Sequence, residues 1–73
     1  MYLSGEKKQL GELIVKRRAE LSMEQSDIED YTGISIGTIS KMENGKGNIS
    51  IDNLLKILDI LGLEMNVKVK QTI

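Results

Sequence analysis

The corner Thr32-Gly33-Ile34-Ser35 constrains this chain more than any other stretch. Gly33 closes a helical pattern where a left-handed backbone meets no Cβ clash, and Ser35 is a ready N-cap two residues later. Residues 25–45, QSDIEDYTGISIGTISKMENG, therefore read as two short helices meeting at a tight turn. At about 100° per residue, Ile39 and Met42 of the second helix share one side, with Thr38 beside them. Ile36, Gly37, Ser40, Lys41 and Asn44 take the other side. The first side is apolar enough to bury. The second carries small or hydrogen-bonding groups, with Ile36 as its one large apolar residue. Such groups facing out from an N-terminal turn suit a major groove. An ordinary amphipathic surface helix has the same apolar spacing, so periodicity leaves both readings open.

The residues themselves narrow the choice. Gln25 and Ile28, the corner at residues 32–35, and the run Thr38-Ile39-Ser40-Lys41-Met42-Glu43-Asn44-Gly45 resemble the helix-turn-helix of the Cro/cI phage-repressor family, the XRE-type regulators. Arg17-Arg18 followed by Leu21-Ser22-Met23, the loop Gly45-Lys46-Gly47-Asn48 and the helix from Ser50 to Leu61 fit as well, so the resemblance spans roughly residues 6–63. It implies a mostly α, four-helix lambda-repressor-like domain. The DNA-binding residues it implies are Gln25, Ser35, Ile36, Gly37, Thr38, Ser40, Lys41, Asn44 and Lys46. It also implies an Arg18–Glu43 pair tying the first helix to the third, and a loop at Lys46 lying along the sugar-phosphate backbone. Two positions depart from the pattern. Glu24 replaces the usual Ser or Thr cap, and Glu29 replaces a small residue between the two helices.

The remaining elements follow from spacing. Ser4 caps a first helix over about 5–21, with Glu6 in its first turn and Leu10, Leu13, Ile14 and Leu21 at apolar positions. Gly11 weakens the middle of that helix by ~1 kcal/mol relative to Ala. The second helix, about 24–31, has Ile28 and Tyr31 as its apolar positions, helped by Met23; the third covers about 36–43. Ser50 caps a fourth helix over about 51–61 that Gly62 ends. Its apolar arc is wide: Ile51, Leu54, Leu55 and Leu58 mark one face, and Ile57, Ile60 and Leu61 extend it beyond the stripe a surface helix needs.

Then the period changes to two. Leu63, Met65, Val67 and Val69 alternate with polar residues, which predicts a strand over about 63–70. A fifth helix is usual in the repressor family; a tail strand resembles the HipB-type antitoxins, in which it pairs across a dimer. The expected dimer interface is Ile57, Ile60, Leu61, Leu63, Met65, Val67 and Val69.

Size and charge bound the function. With 73 residues, one domain over 1–73 is expected, and a domain this small buries only ~60% of its unfolded surface. There is no Cys or His, Phe or Trp, so no disulfide, no zinc pattern and no thiol or imidazole catalyst is on offer. An enzyme is the least favoured class, and no cofactor or metal is expected. No apolar run is long enough to span a bilayer and residues 1–8, MYLSGEKK, lack a signal-peptide core, so a cytoplasmic location is expected. The net charge of −1 opposes nucleic acid mildly. The charges are segregated, however: Glu20, Glu24, Asp27, Glu29 and Asp30 form an acidic block, while Lys41 and Lys46 flank the third helix.

Three functions stand in order. The first is a homodimeric, sequence-specific DNA-binding regulator, a repressor, on a near-palindromic operator. The second is an antitoxin that represses its own operon and binds a toxin protein as a further partner. The third uses the helix-turn-helix for protein contact only, the acidic second helix being its motive.

Overall fold

Four helices follow in chain order: α1 (Leu3–Glu20), α2 (Gln25–Thr32), α3 (Ile36–Glu43) and α4 (Ile51–Ile60). The computed structural model describes residues 3–69, with side chains from residue 6 onward. α3 packs on α1 and α2, and α4 packs on α2. No helix among the described residues is long and apolar enough to cross a membrane.

α1 buries Gly11 and Ile14, with Leu10 half-buried beside them. Leu13 and Leu21, expected on the same apolar row, are exposed. Gly11 accounts for Leu13, which lies on the opposite side of the helix at about 100° per residue, while Leu21 falls past the end of α1. A Cβ on Gly11 would lie 2.6 Å from the Met42 carbonyl oxygen, and closer still to that of Glu43. The glycine lets α1 ride directly on the C-terminal turn of α3, and this contact sets which side of α1 faces inward. The helix runs through Ser4 rather than being capped by it.

Glu24 stands at the cap position of α2, and the side chain three residues on bonds back to it. The Asp27 carboxylate accepts the Glu24 N–H at 2.7 Å, placing negative charge where the helix dipole favours it. Ile28 is fully buried, but Tyr31, expected beside it, is 76% exposed. Ile34, just past the corner, takes that place in the core. At the corner Gly33 adopts φ +76°, and the Thr32 hydroxyl both donates to the Ile28 carbonyl and accepts the Ile34 N–H. Ile39 and Met42 of α3 are buried as their spacing predicts.

α4 turns Leu54, Ile57 and Leu58 inward, with Leu61 just beyond its end. Ile51 and Leu55 are left exposed. Ile57 and Leu61, expected at a dimer contact, are thus consumed by the core of the single chain, and Ile60 is half-buried. The helix stops at Gly62, φ +69°, and the Leu63 N–H returns to the Leu58 carbonyl at 2.9 Å. Arg17 of α1 reaches the same end, its Nε donating to the Leu61 carbonyl at 2.7 Å. A cation at a helix C-terminus is favourable, so Arg17 fastens α1 to α4.

The strand expected over 63–70 is not present: residues 63–69 are irregular, and residue 70 lies outside the described residues. The alternation specifies which side chains would share a face, but a strand also needs a hydrogen-bonding neighbour. No other strand exists among the described residues to provide one. Leu63 packs against the core, whereas Val67 and Val69 are almost wholly exposed.

The packing makes two expectations testable by urea unfolding. Gly11→Ala should lower stability even though Ala is the better helix former by ~1 kcal/mol, because overpacking against backbone costs ~1–3 kcal/mol and carbonyl groups cannot rotate away. A rise in melting temperature would show that α1 does not ride on α3. Ile39→Ala and Met42→Ala should each cost ~2–5 kcal/mol.

Candidate nucleic-acid interface

The two ends of α3 are fixed by different means. At its start Ser35 is extended (φ −64°, ψ 148°), and its hydroxyl oxygen accepts the Thr38 N–H at 3.2 Å. The Ile36 N–H, another donor of the first turn without an intrahelical partner, is taken from across the corner. The Glu29 Oε2 of α2 accepts it at 3.1 Å. Glu29 therefore does not spoil the fit between the helices; it bonds them.

At the other end Glu43 gathers three groups. Arg18 Nε donates to its Oε2 at 2.8 Å, and Arg18 Nη2 donates to its Oε1 at 3.1 Å. Gln25 Nε2 donates to the same Oε1 at 2.8 Å. The remaining Arg18 Nη1 donates to the Met23 carbonyl at 3.0 Å. The Glu43 side chain is 5% exposed and that of Arg18 17%. The hydrogen bond to Glu43 holds the Arg18 guanidinium above its ordinary pKa, against the opposing effect of burial. The pair expected from the resemblance is present and forked, the geometry in which arginine and carboxylate bind best. Gln25, expected to meet DNA, spends its amide donor on Glu43; its carbonyl oxygen and its position in the first turn of α2 remain for other work.

With Ile39 and Met42 inward, the opposite face of α3 is open. Ser35, Ile36, Gly37, Lys41 and Asn44 are exposed, and Thr38 and Ser40 are half-buried. Apart from Ser35 Oγ, at 3.9 Å, nothing beyond its chain neighbours and its own helix backbone crowds the place where a Gly37 Cβ would stand. The backbone of that turn can be approached closely. Asn44 folds back, its Nδ2 donating to the Ser40 carbonyl at 2.8 Å.

The following loop lies against this face. The Lys46 N–H donates to the Lys41 carbonyl at 2.8 Å, which brings the two lysines, both exposed, to one end of α3. Gly45 and Gly47 take φ +73° and +76°. Lys7 of α1 clamps the loop, its Nζ donating to the Gly47 carbonyl at 2.9 Å and to Asn48 Oδ1 at 3.0 Å. A cleft of about 170 Å³ runs between helix and loop, lined by Thr38, Lys41, Lys46, Gly47 and Asn48 among others.

The structure thus collects Ser35, Ile36, Gly37, Lys41, Asn44 and Lys46 on one side, while Gln25 is drawn inward. Three contributors were not marked as site residues from sequence: Lys7, Glu29 and Asp27. Asp27 had a readable signal, an acid three residues after a helix start, the spacing of a reciprocal cap. Lys7 and Glu29 act across 40 and 7 residues, and no local pattern announces them.

Comparison with known proteins gives the family of the chain. The helix-turn-helix family model matches residues 14–67. A protein of Methanosarcina acetivorans assigned as an HTH-type transcriptional regulatory protein is 37% identical over 65 residues, 89% of this chain. The aligned part is 19% of that relative, so the chain spans about a fifth of its length.

Arg18→Ala would leave the Glu43 carboxylate in a nearly dry site with Gln25 as its one remaining side-chain partner. Breaking a buried pair in this way costs ~3–5 kcal/mol, a large part of the ~4–11 kcal/mol total expected for a domain this size. Chemical denaturation should show that loss; one below ~1 kcal/mol would mean the pair behaves as a solvated surface bridge.

Proposed function

The chain belongs to the helix-turn-helix family, and from that premise we propose that it is a sequence-specific DNA-binding transcriptional regulator, a homodimeric repressor acting on a near-palindromic operator. One observation carries the reading. α3 presents an exposed face of small and polar residues with Lys41 and Lys46 at its end, while every large apolar side chain but Ile36 is turned away. In this reading α3 enters the major groove, Ser40, Lys41 and Asn44 meet base edges or phosphate, and Ile36 meets a thymine methyl group. Gly37 allows close approach. The loop at Lys46 and Gly47, clamped by Lys7, follows the sugar-phosphate backbone.

The second copy is inferred from surface left uncovered along α4 and the tail. Ile51 and Leu55 of α4 are exposed, as is Met65. Between α4 and the tail runs a groove of about 650 Å³, lined by Leu55, Leu58, Leu63 and Met65 together with Asp52, Lys56, Asp59 and Glu64. A two-fold contact makes one such patch cover its twin. The reading requires that this contact set two α3 helices one DNA turn apart, roughly 34 Å, to meet a near-palindrome. A toxin partner gains no added support, since the tail strand that suggested one is absent from the described residues.

Selection of bound sequences from a random duplex pool tests the main reading, and enrichment of a two-fold site is the expected result. On that site Lys41→Ala and Ser40→Ala should weaken binding by ~1–3 kcal/mol where a base contact is lost, with unchanged melting temperatures. Loss that is even across sequences would assign the side chain to phosphate. If neither substitution changes affinity, α3 is not the reading helix.

The dimer has a separate check. Leu55→Lys with Met65→Lys should give a folded monomer in sedimentation equilibrium, with strongly weakened operator binding. A double variant that still dimerises tightly would remove this face from the interface.

A further inference from the structure

Glu29 has a second consequence, one that rests on the DNA-binding reading above. Its carboxylate sits at the first turn of α3, bonded to the Ile36 N–H at 3.1 Å. The next residue is the open Gly37, whose backbone nothing outside its own turn crowds. A phosphate drawn to this helix start would meet partial positive charge from the dipole and bare N–H groups. It would also meet a fixed negative charge that already occupies one of those groups. Lys41 and Lys46 stand at the opposite end of the same face. The acidic residues Glu24 and Asp30 of the α2 segment are exposed and Asp27 is half-buried, so the charge near the helix start is not cancelled by a neighbouring base on that segment.

We propose that Glu29 is a positioning residue with two roles: it fixes the start of α3 on α2 through the Ile36 N–H, and it restrains phosphate-driven binding to DNA of any sequence. The two roles separate chemically. Holding the N–H needs only an oxygen acceptor, which an amide also supplies. Repelling phosphate needs the charge. Non-specific binding is almost wholly phosphate neutralisation, so it is the quantity that the charge governs. The effect is electrostatic and must fade as salt screens it.

The test compares Glu29→Gln, Glu29→Ala and Glu12→Gln with the wild-type chain, using a labelled duplex of random sequence at low and high salt, and thermal melting. Glu12 is an exposed carboxylate on α1, so its amide controls for net charge alone. Glu29→Gln should melt like the wild type yet bind the random duplex about fivefold more tightly at low salt, the worth of one like charge at contact distance in water. The gain should shrink at high salt. Glu29→Ala should melt lower, because the Ile36 N–H loses its acceptor. Glu12→Gln should change neither property. Unchanged or weaker random-duplex binding by Glu29→Gln overturns the restraint, as does an equal gain in Glu12→Gln. An Ala variant that melts like the wild type overturns the positioning role. If the wild type binds the duplex and the Gln variant matches it, this inference alone fails; if the wild type binds no duplex, the DNA reading fails with it.

Discussion

Glu43 is the point on which the rest of the structure depends. Its carboxylate receives Arg18 from α1 and Gln25 from α2, and its backbone carbonyl lies against Gly11 of α1. Three helices are thereby registered on one residue at the end of the helix that faces outward. Burying a carboxylate and a guanidinium costs desolvation that their attraction does not always repay, so the gain lies less in total stability than in a defined arrangement. An apolar residue at 43 could pack, but it would accept no hydrogen bond from Arg18 or Gln25. The C-terminal end of α3 would then lose its side-chain hydrogen bonds to α1 and α2, and the apolar contacts of Ile39 and Met42 that remain there tolerate sliding.

α1 acts as a strap around this arrangement, and its adjacent arginines divide the work. Arg18 holds the end of α3, and Arg17 holds the end of α4 through the Leu61 carbonyl. Lys7, near the other end of α1, holds the loop after α3. The chain lacks Phe, Trp and Cys, so neither large aromatic anchors nor cross-links are available to a core of this size. Long cationic side chains spanning to carbonyl and carboxylate oxygens take over part of that task. They cover apolar surface with their stems while their heads remain satisfied.

The corner from Thr32 to Ser35, the inward side of α3 and the caps at Ser35 and Ser50 were legible because each depends on a few neighbouring residues. Most of the exposed face of α3 was legible for the same reason, being the complement of Ile39 and Met42. What escaped depends on partners far along the chain. α1 has Leu13 at a reasonable helical position, yet the close approach at Gly11 turns it out, and Leu21 falls past the end of the helix. α4 is apolar on too many sides for its wheel to choose. Only the packed structure shows that Leu54, Ile57 and Leu58 go in while Ile51 and Leu55 stay out. The inward pull on Gln25 is of the same kind, since it is set by Glu43, eighteen residues away. The tail alternates as a strand should, but a strand is a property of two segments, and the sequence of one does not supply the other.

These differences divide the molecule by the kind of force that shapes each side. The face of α3 is over-determined: Ser35 and Glu29 fix its start, and Arg18, Gln25 and the clamped loop fix its end, through directional hydrogen bonds. Directional bonds have narrow geometric tolerance, and under the proposed function a surface that meets base edges within hydrogen-bonding distance needs that tolerance. Past the bonds that fix the end of α4, its outer side and the tail are left with exposed apolar side chains such as Leu55 and Met65, and apolar contact is non-directional and roughly proportional to area. A surface of that kind tolerates small shifts in how a second molecule settles on it. Under the proposed function, α3 is thus held by directional bonds where an error in position would cost base contacts, and the outer side of α4 carries the looser constraint that a second copy settling on its own half-site can accommodate.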